Sequence, residues 1–252
     1  MKLIKLDAID STNEFLKGLS NKEVLENFTV VTADNQTKGK GQMGSSWTSE
    51  VGKNLIMSVL VKDFLINISQ IYNLTIVVSL AVIEALEELN ISKLSIKWPN
   101  DIMSDQKKIG GILIENSIKS DGTIVSIVGL GLNVNQTNFE NLPKASSLAV
   151  ICNSRFDKEE ILIKIMNELK NNIQNWDKNS TVLIANYTNK LFKKGIPMPF
   201  SIESKGLTDE VNQNNQNFMG IIQGISTSGK LQILLEDDTE SEFDIKEIQM
   251  LY

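Results

Sequence analysis

Asn35 to Trp47 reads Asn-Gln-Thr-Lys-Gly-Lys-Gly-Gln-Met-Gly-Ser-Ser-Trp, with Gly39, Gly41 and Gly44 alternating with Lys38, Lys40 and Gln42. Glycine lets backbone N–H groups come close to a ligand and adopts positive φ, and lysine adds a mobile point charge. A segment of this kind can wrap an anion, phosphate first among them. Read alone, it is equally a flexible polar surface loop. A second cluster, Lys97-Trp98-Pro99-Asn100-Asp101, leads into Lys107-Lys108-Ile109-Gly110-Gly111, whose paired glycines mark close backbone approach by a ligand. A third, Ser11-Thr12-Asn13, stands where a helix cap is expected, and capping alone would account for it.

Composition restricts what these clusters can do. The chain has no histidine and one cysteine, Cys152. That removes Ser-His-Asp and Cys-His nucleophilic schemes and the usual zinc sites, so neither zinc nor haem is expected. What remains is chemistry by alignment and charge stabilisation, as in adenylyl and phosphoryl transfer. A net charge of −6 argues against a general nucleic-acid binder. Of the 25 basic residues only Arg155 is an arginine, a drift that makes lysine the default cation throughout. Met1 to Asp7 lacks the apolar h-region of a signal peptide, and the most apolar run, Leu74 to Ala85, is interrupted by Thr75, Ser79 and Glu84. With a lone cysteine, this predicts a cytoplasmic protein that meets no membrane.

The 252 residues suffice for one large domain, or one plus a small companion. Strands are expected at Leu3 to Leu6, Phe28 to Ala33, Asn54 to Val61, Leu94 to Trp98, Lys107 to Glu115 and Thr123 to Val134, with a hairpin turn at Ser120-Asp121-Gly122. Helices are expected from Ser11 or Thr12, over Ser69 to Leu89, over Asp157 to Trp176 with Asp157 as cap, and over Thr181 to Phe192. Clustered strands with short links predict an α+β fold with a mixed, largely antiparallel sheet and flanking helices. Gly195-Ile196-Pro197-Met198-Pro199 sets the expected boundary, dividing residues 1–194 from 195–252. Beyond it, short strands at Phe200 to Glu203, Met219 to Ile225, Leu231 to Leu235 and Glu242 to Ile245, with a polar loop from Asn212 to Asn217, predict a small β-barrel.

Taken in order, Ser11-Thr12-Asn13, Gln36 to Trp47, Lys97-Trp98-Pro99-Asn100-Asp101 with Lys108-Ile-Gly-Gly111, and Gly129-Leu-Gly-Leu-Asn133-Val closely resemble biotin–protein ligases over essentially the whole chain. The resemblance implies a catalytic domain related to class II aminoacyl-tRNA synthetases and lipoate ligases, followed by an SH3-like barrel. About ten residues precede Ser11, which implies the monofunctional form without a DNA-binding domain. The implied reaction activates biotin with ATP and Mg²⁺ to biotinyl-5′-AMP. It then transfers biotin to a lysine of a biotin carboxyl carrier domain, that of acetyl-CoA carboxylase being the expected partner.

By the same resemblance, Ser11, Thr12, Asn13 and Gln36 bind the biotin rings, and Lys40, Gly41 and Gln42 wrap the carboxylate and phosphate end. Lys108 meets the carboxylate and α-phosphate, Gly111 allows close approach, and Trp47 lies against the intermediate. Lys97, Asn100, Asp101 and Asn133 serve the nucleotide, with Asp101 toward Mg²⁺; Lys108, Lys97 and Lys40 carry the catalysis. Two alternatives stand beside this reading: a lipoate or octanoate ligase, and a non-catalytic biotinyl-AMP-binding protein. Edge-to-edge pairing into a homodimer is compatible with an exposed sheet edge. The loop departs from the family pattern Gly-Arg-Gly-Arg-x-Gly: Lys40 replaces a two-pronged donor by a point charge, and Gln42 removes a charge. The resulting expectation is a mobile lid that keeps the intermediate loosely.

Overall fold

The computed structural model describes residues 1–140, 142–202 and 217–252. β1 (Leu3–Ile9) and β2 (Val30–Gln36) pair in parallel, joined by α1 (Thr12–Lys22), whose cap is Ser11. β3 (Leu55–Lys62) turns the chain into α2 (Ile71–Glu88). β4 (Leu94–Lys97), β5 (Asp101–Ser104), β6 (Lys107–Ile118) and β7 (Ile124–Leu132) then complete a seven-stranded sheet of order β1-β2-β3-β7-β6-β5-β4. Only the β1–β2 pair is parallel, so the sheet is mixed and largely antiparallel, as expected.

Strand alternation sends the two faces of this sheet to different partners. Val31, Leu60, Val125 and Ile127 meet Leu16 of α1 on one side. Val30, Met57, Val59, Val128 and Leu130 join the core of α2 and the next long helix on the other. α2 is buried over the unbroken run Ile76 to Ile83, because the sheet covers one side and that long helix the other. The chain continues through α3 (Leu148–Cys152), capped by Ser147, into α4 (Lys158–Asn189), capped by Asp157.

Several expectations change here. α4 is one helix of 32 residues rather than two. Asp177 to Ser180 contains no glycine or proline to break it; the buried face simply lapses between Asn172 and Leu183, which read as a gap. β2 begins two residues late, since Phe28 sits at φ 61 in a turn, and runs on to hold Gln36 within the sheet. β5, α3 and the final strand were not expected; they span only three to five residues, too short to show a period.

Past Gly195, β8 (Pro197–Ile202), β9 (Asn217–Ile225), β10 (Leu231–Leu235), β11 (Glu240–Phe243) and β12 (Ile248–Met250) form a second, antiparallel sheet of order β11-β10-β9-β8-β12. Glu203 and the expected loop up to residue 216 lie outside the described residues, while Asn217 opens β9. β8 tolerates Pro199 because that residue uses its carbonyl, accepting from Leu251 N–H at 3.0 Å. The second sheet shares the main core. Met198, Phe200, Ile222 and Leu231 belong to the same cluster as α2, and Trp98 Nε1–H donates to the Gly229 carbonyl at 2.9 Å.

Candidate active site

The site assembles on the α1 face of the sheet, where α1, β2, β3, β6 and β7 converge. At the start of α1, Ser11 accepts weakly from Glu14 N–H at 3.5 Å, so it caps the helix. Thr12 and Asn13 are buried and do more. Thr12 N–H donates to Gln36 Oε1 at 2.8 Å, and Asn13 Nδ2 donates to Glu115 Oε2 at 2.8 Å. Ser58 of β3 lies 2.7 Å from Thr12 Oγ1 and 2.6 Å from Asn13 Oδ1, closing the network. Capping and site duties are thus divided within one triplet.

A bulge puts the key lysine on the same face. β5 and β6 pair Ile102 with Gly110 and Met103 with Lys108, leaving Ile109 as the extra residue. Without it, Lys108 would face away from Gly111, Leu113 and Glu115; with it, Ile109 enters the core and Lys108 turns to the cavity. Lys108 Nζ lies 2.6 Å from Asp101 Oδ1 and 5.8 Å from the ring centroid of Trp47. Trp47 lies flush on β7. A Cβ added to Gly131 would fall 2.4 Å from Trp47 Cε2, and one added to Gly129 would fall 2.4 Å from Asn13 Oδ1. Neither position accepts any other residue without displacing the site. The indole Nε1–H of Trp47 is buried without a hydrogen-bond partner, a donor held ready for an acceptor.

The glycine-rich loop folds back on itself. Gly41 N–H donates to the Ser45 carbonyl at 2.7 Å, Trp47 N–H donates to Gly39 at 2.9 Å, and Lys40 and Ser46 form a β-bridge. Met43 takes φ 55 at the turn. Lys40 Nζ lies 2.6 Å from Glu14 Oε1, which holds the Glu14 carboxyl below its ordinary range and the Lys40 ammonium above its own. This segment is a hairpin closed by its own backbone bonds.

Ser11, Thr12, Asn13, Gln36, Lys40, Gly41, Gln42, Trp47, Asn100, Asp101, Lys108 and Gly111 all line one cavity of about 270 Å³. Two expected residues do not. Asn133 is buried and ties down a neighbouring segment through Nδ2 to the Ser146 carbonyl at 3.0 Å. Lys97 stands with its ammonium 5.0 Å from the Tyr252 ring centroid. Asn100 lines the cavity but spends its amide on the Ile112 carbonyl at 2.6 Å. Sequence reasoning missed Ser58 and Glu115. Ser58 had a signal, as the one polar residue within Leu55–Lys62 before its terminal lysine. A larger hollow of about 360 Å³, near Lys5, Asp34, Lys158 and Glu159, has its lysines already matched to carboxylates at 2.7 and 2.8 Å.

Residues 6–133 match the biotin/lipoate A/B protein ligase family, about half of the chain. Over 168 residues the chain is 34% identical to the bifunctional ligase/repressor BirA of Bacillus subtilis, covering 65% of this chain and 51% of that one. It therefore spans about half the length of that relative. Over 205 residues it is 27% identical to the biotin–[acetyl-CoA-carboxylase] ligase of Mycobacterium tuberculosis, covering 80% and 71%. The biotin protein ligase of Aquifex aeolicus, solved in complex with biotin and ATP, superposes with a TM-score of 0.78 at 29% identity, covering 99% and 98%. The match begins within β1 and closes on Asn133, enclosing the strands that build the cavity, and this chain belongs to the biotin/lipoate A/B protein ligase family.

Proposed function

We propose that the chain is an ATP-dependent biotin–protein ligase. The observation that carries this reading is the convergence, in one cavity, of a floor of hydroxyl and amide groups, an aromatic wall and a lysine–aspartate pair. Biotin offers a uncharged ring system at one end and a carboxylate at the other, and the cavity is divided in the same way. The Aquifex neighbour, with biotin and ATP in its own site, supports the assignment.

In the proposed reaction the biotin carboxylate attacks the α-phosphorus of ATP, pyrophosphate leaves, and biotinyl-5′-AMP forms. An amine of a carrier-protein lysine then attacks the acyl carbon, AMP leaves with the bond electrons, and the amine gives up its proton. Thr12, Asn13 and Gln36 orient the ring end, with Ser11 fixing the turn that presents them. Lys108 stabilises the charge that builds on the carboxylate and α-phosphate, and Lys40, Gly41 and Gln42 close over it. Trp47 and Gly111 shut water away from the anhydride. Asn100 fixes the β4–β5 turn that presents Asp101.

Among the described residues no three acidic or cysteine side chains converge as a resident metal site. Asp101 alone fits an ion that brings its remaining ligands from phosphates and water, as Mg²⁺ does with a nucleotide. Mg²⁺ would neutralise phosphate charge there. Lys108, paired with Asp101, faces the cavity in which the carboxylate and α-phosphate would meet.

The partner follows from the reaction: a biotin carboxyl carrier domain, that of acetyl-CoA carboxylase first. A net charge of −6 argues against DNA as a partner. β1 is an open sheet edge on which a homodimer would form. No helix among the described residues is long and apolar enough to cross a membrane. The lone Cys152 suits the cytoplasm.

Incubating a carrier domain with the chain, Mg·ATP and either biotin or lipoate tests the reading by intact mass. One biotinyl group on one lysine is the expected result. Lipoyl transfer alone would assign the rival ligase activity, and biotin binding without any mass change would leave only a binding protein.

A further inference from the structure

The floor of the cavity holds a chain of close oxygen–oxygen contacts. Asn13 Oδ1 and Thr12 Oγ1 lie 2.6 and 2.7 Å from Ser58 Oγ, and Thr12 Oγ1 lies 3.0 Å from Gln36 Oε1. A hydrogen bond at each of these three contacts needs a proton, and the hydroxyls of Ser58 and Thr12 bring two. Thr12 N–H also donates to Gln36 Oε1 at 2.8 Å, so Gln36 turns its carbonyl oxygen, and not its NH2, toward Thr12. The Asn13 amide would bring the third proton if it were turned over, with Nδ2 toward Ser58. It is held the other way.

The hold comes from β6. Asn13 Nδ2 donates to Glu115 Oε2 at 2.8 Å and to the Leu113 carbonyl at 3.4 Å. A carboxylate and a carbonyl accept and do not donate, so they admit the NH2 of Asn13 and reject its oxygen. The Leu113 contact is long, which makes the carboxylate the stronger of the two. Glu115 is half-buried behind Asn13 and does not line the cavity, whereas Thr12, Asn13 and Gln36 do.

We infer that Glu115 is a positioning residue: by holding the Asn13 amide it keeps the floor one proton short, and the floor therefore selects a ring that carries its own N–H. One oxygen of the chain is always left with an open lone pair, and in a buried network an unmatched acceptor is costly until a ligand supplies the donor. The ring of biotin carries N–H groups on a urea; the dithiolane ring of lipoate carries none. The inference rests on the ligase reading for its ligand, and gives that reading a physical reason to prefer biotin in a family named for both.

The test uses Glu115→Gln, Asn13→Asp and the double variant. It measures equilibrium binding of biotin and of Mg·ATP, inhibition by lipoate, and biotin-dependent pyrophosphate exchange. In Glu115→Gln the two facing amides can turn over together, Asn13 bringing its NH2 to Ser58, and the floor balances without a ligand. Biotin should then bind about tenfold more weakly, with Mg·ATP, lipoate and the exchange rate at saturating biotin within about threefold of wild type. Asn13→Asp sets two carboxylates against each other and should weaken biotin about 30-fold or more. The double variant exchanges the two groups: position 115 donates, position 13 can only accept, and the floor is one proton short again. Biotin affinity should return to within about threefold of wild type.

Biotin affinity in Glu115→Gln within about twofold of wild type, an equal loss for lipoate, or a double variant no better than Asn13→Asp would each overturn the role of Glu115. A wild type that binds biotin and follows the expected pattern yet transfers none would sink the ligase reading and leave the positioning role standing. A wild type that binds no biotin would overturn both.

Discussion

The floor of the cavity and its glycine-rich rim are built on opposite principles. Thr12, Asn13 and Ser58 on the floor are 3%, 4% and 0% exposed and joined by hydrogen bonds that link four secondary-structure elements. On the rim, the Lys40 and Glu14 side chains are 52% and 45% exposed and joined by one ion pair. A buried hydrogen-bonded network is fixed before the ligand arrives, and breaking it strands polar groups. An exposed ion pair contributes little and exchanges partners readily. The Lys108–Asp101 pair lies between these cases, since it is partly sheltered and matched to a carboxylate that a metal–nucleotide complex can claim. Under the proposed ligase function, fixed geometry meets the uncharged end of the substrate and exchangeable pairs meet its charged end.

The largest expected effect lies at the charged end. Lys108→Ala should lower adenylate formation by about 10³-fold, the range for removing a main electrostatic stabiliser. Its exposure and β-strand setting leave Tm within a few degrees. Biotin-dependent pyrophosphate exchange and a thermal melt measure the two halves of this statement. An exchange rate within about tenfold of wild type would remove Lys108 from the reacting centre.

Next comes the floor. Asn13→Ala leaves Glu115 without its amide donor and Ser58 with Thr12 alone, so biotin affinity should fall about 10–100-fold. The loss should change little with salt, because the floor is held mainly by bonds among neutral groups, Glu115 supplying its one carboxylate. Titration of biotin at two ionic strengths checks it. A loss that disappears in salt would mean the floor works like the rim, and the comparison would fail.

Much of this contrast was legible in the sequence, and the part that was not has a local cause. Ser11, the glycine-rich stretch, Lys108 and Asp101 announced themselves by residue type and spacing. What spacing does not reveal is which face a side chain takes after an irregularity. The bulge at Ile109 turns Lys108 toward Trp47, and no periodicity marks it. Lys97 and Asn133 were assigned to the nucleotide by motif, yet their strands deliver them behind the cavity wall, where only the fold shows Tyr252 and Ser146 waiting. The long α4 was divided because its burial lapses, although nothing in Asp177 to Ser180 stops a helix. Gln36 was read as loop and is the last residue of β2, which is why its carbonyl oxygen can be held by Thr12.

On the rim, Gln42→Arg restores a planar, two-pronged cation where the chain has a neutral amide. Release of biotinyl-AMP should slow about 3–10-fold in 50 mM salt, and the gain should shrink in 0.5 M salt as screening shortens the reach of the exposed charge. A chase with unlabelled biotin measures it. Unchanged release at low salt would show that the loop is held by its own backbone bonds and that Gln42 does not set retention.

The smallest effect is the tie between the rim and α1. Lys40 holds the Glu14 carboxyl below its ordinary range, so the tie is intact wherever Glu14 is ionised in both states. It weakens only as pH falls through the lowered folded value. Hydrogen exchange of the amides from Gly39 to Trp47 should therefore keep constant protection between pH 6 and 8 once the intrinsic rate is removed. Glu14→Gln should reduce that protection about twofold, in keeping with an exposed pair. Protection that collapses in the variant by orders of magnitude would show the ion pair, rather than the Gly41–Ser45 and Trp47–Gly39 backbone bonds, to be what folds the hairpin. The rim would then be as dependent on a single contact as the floor is on its network.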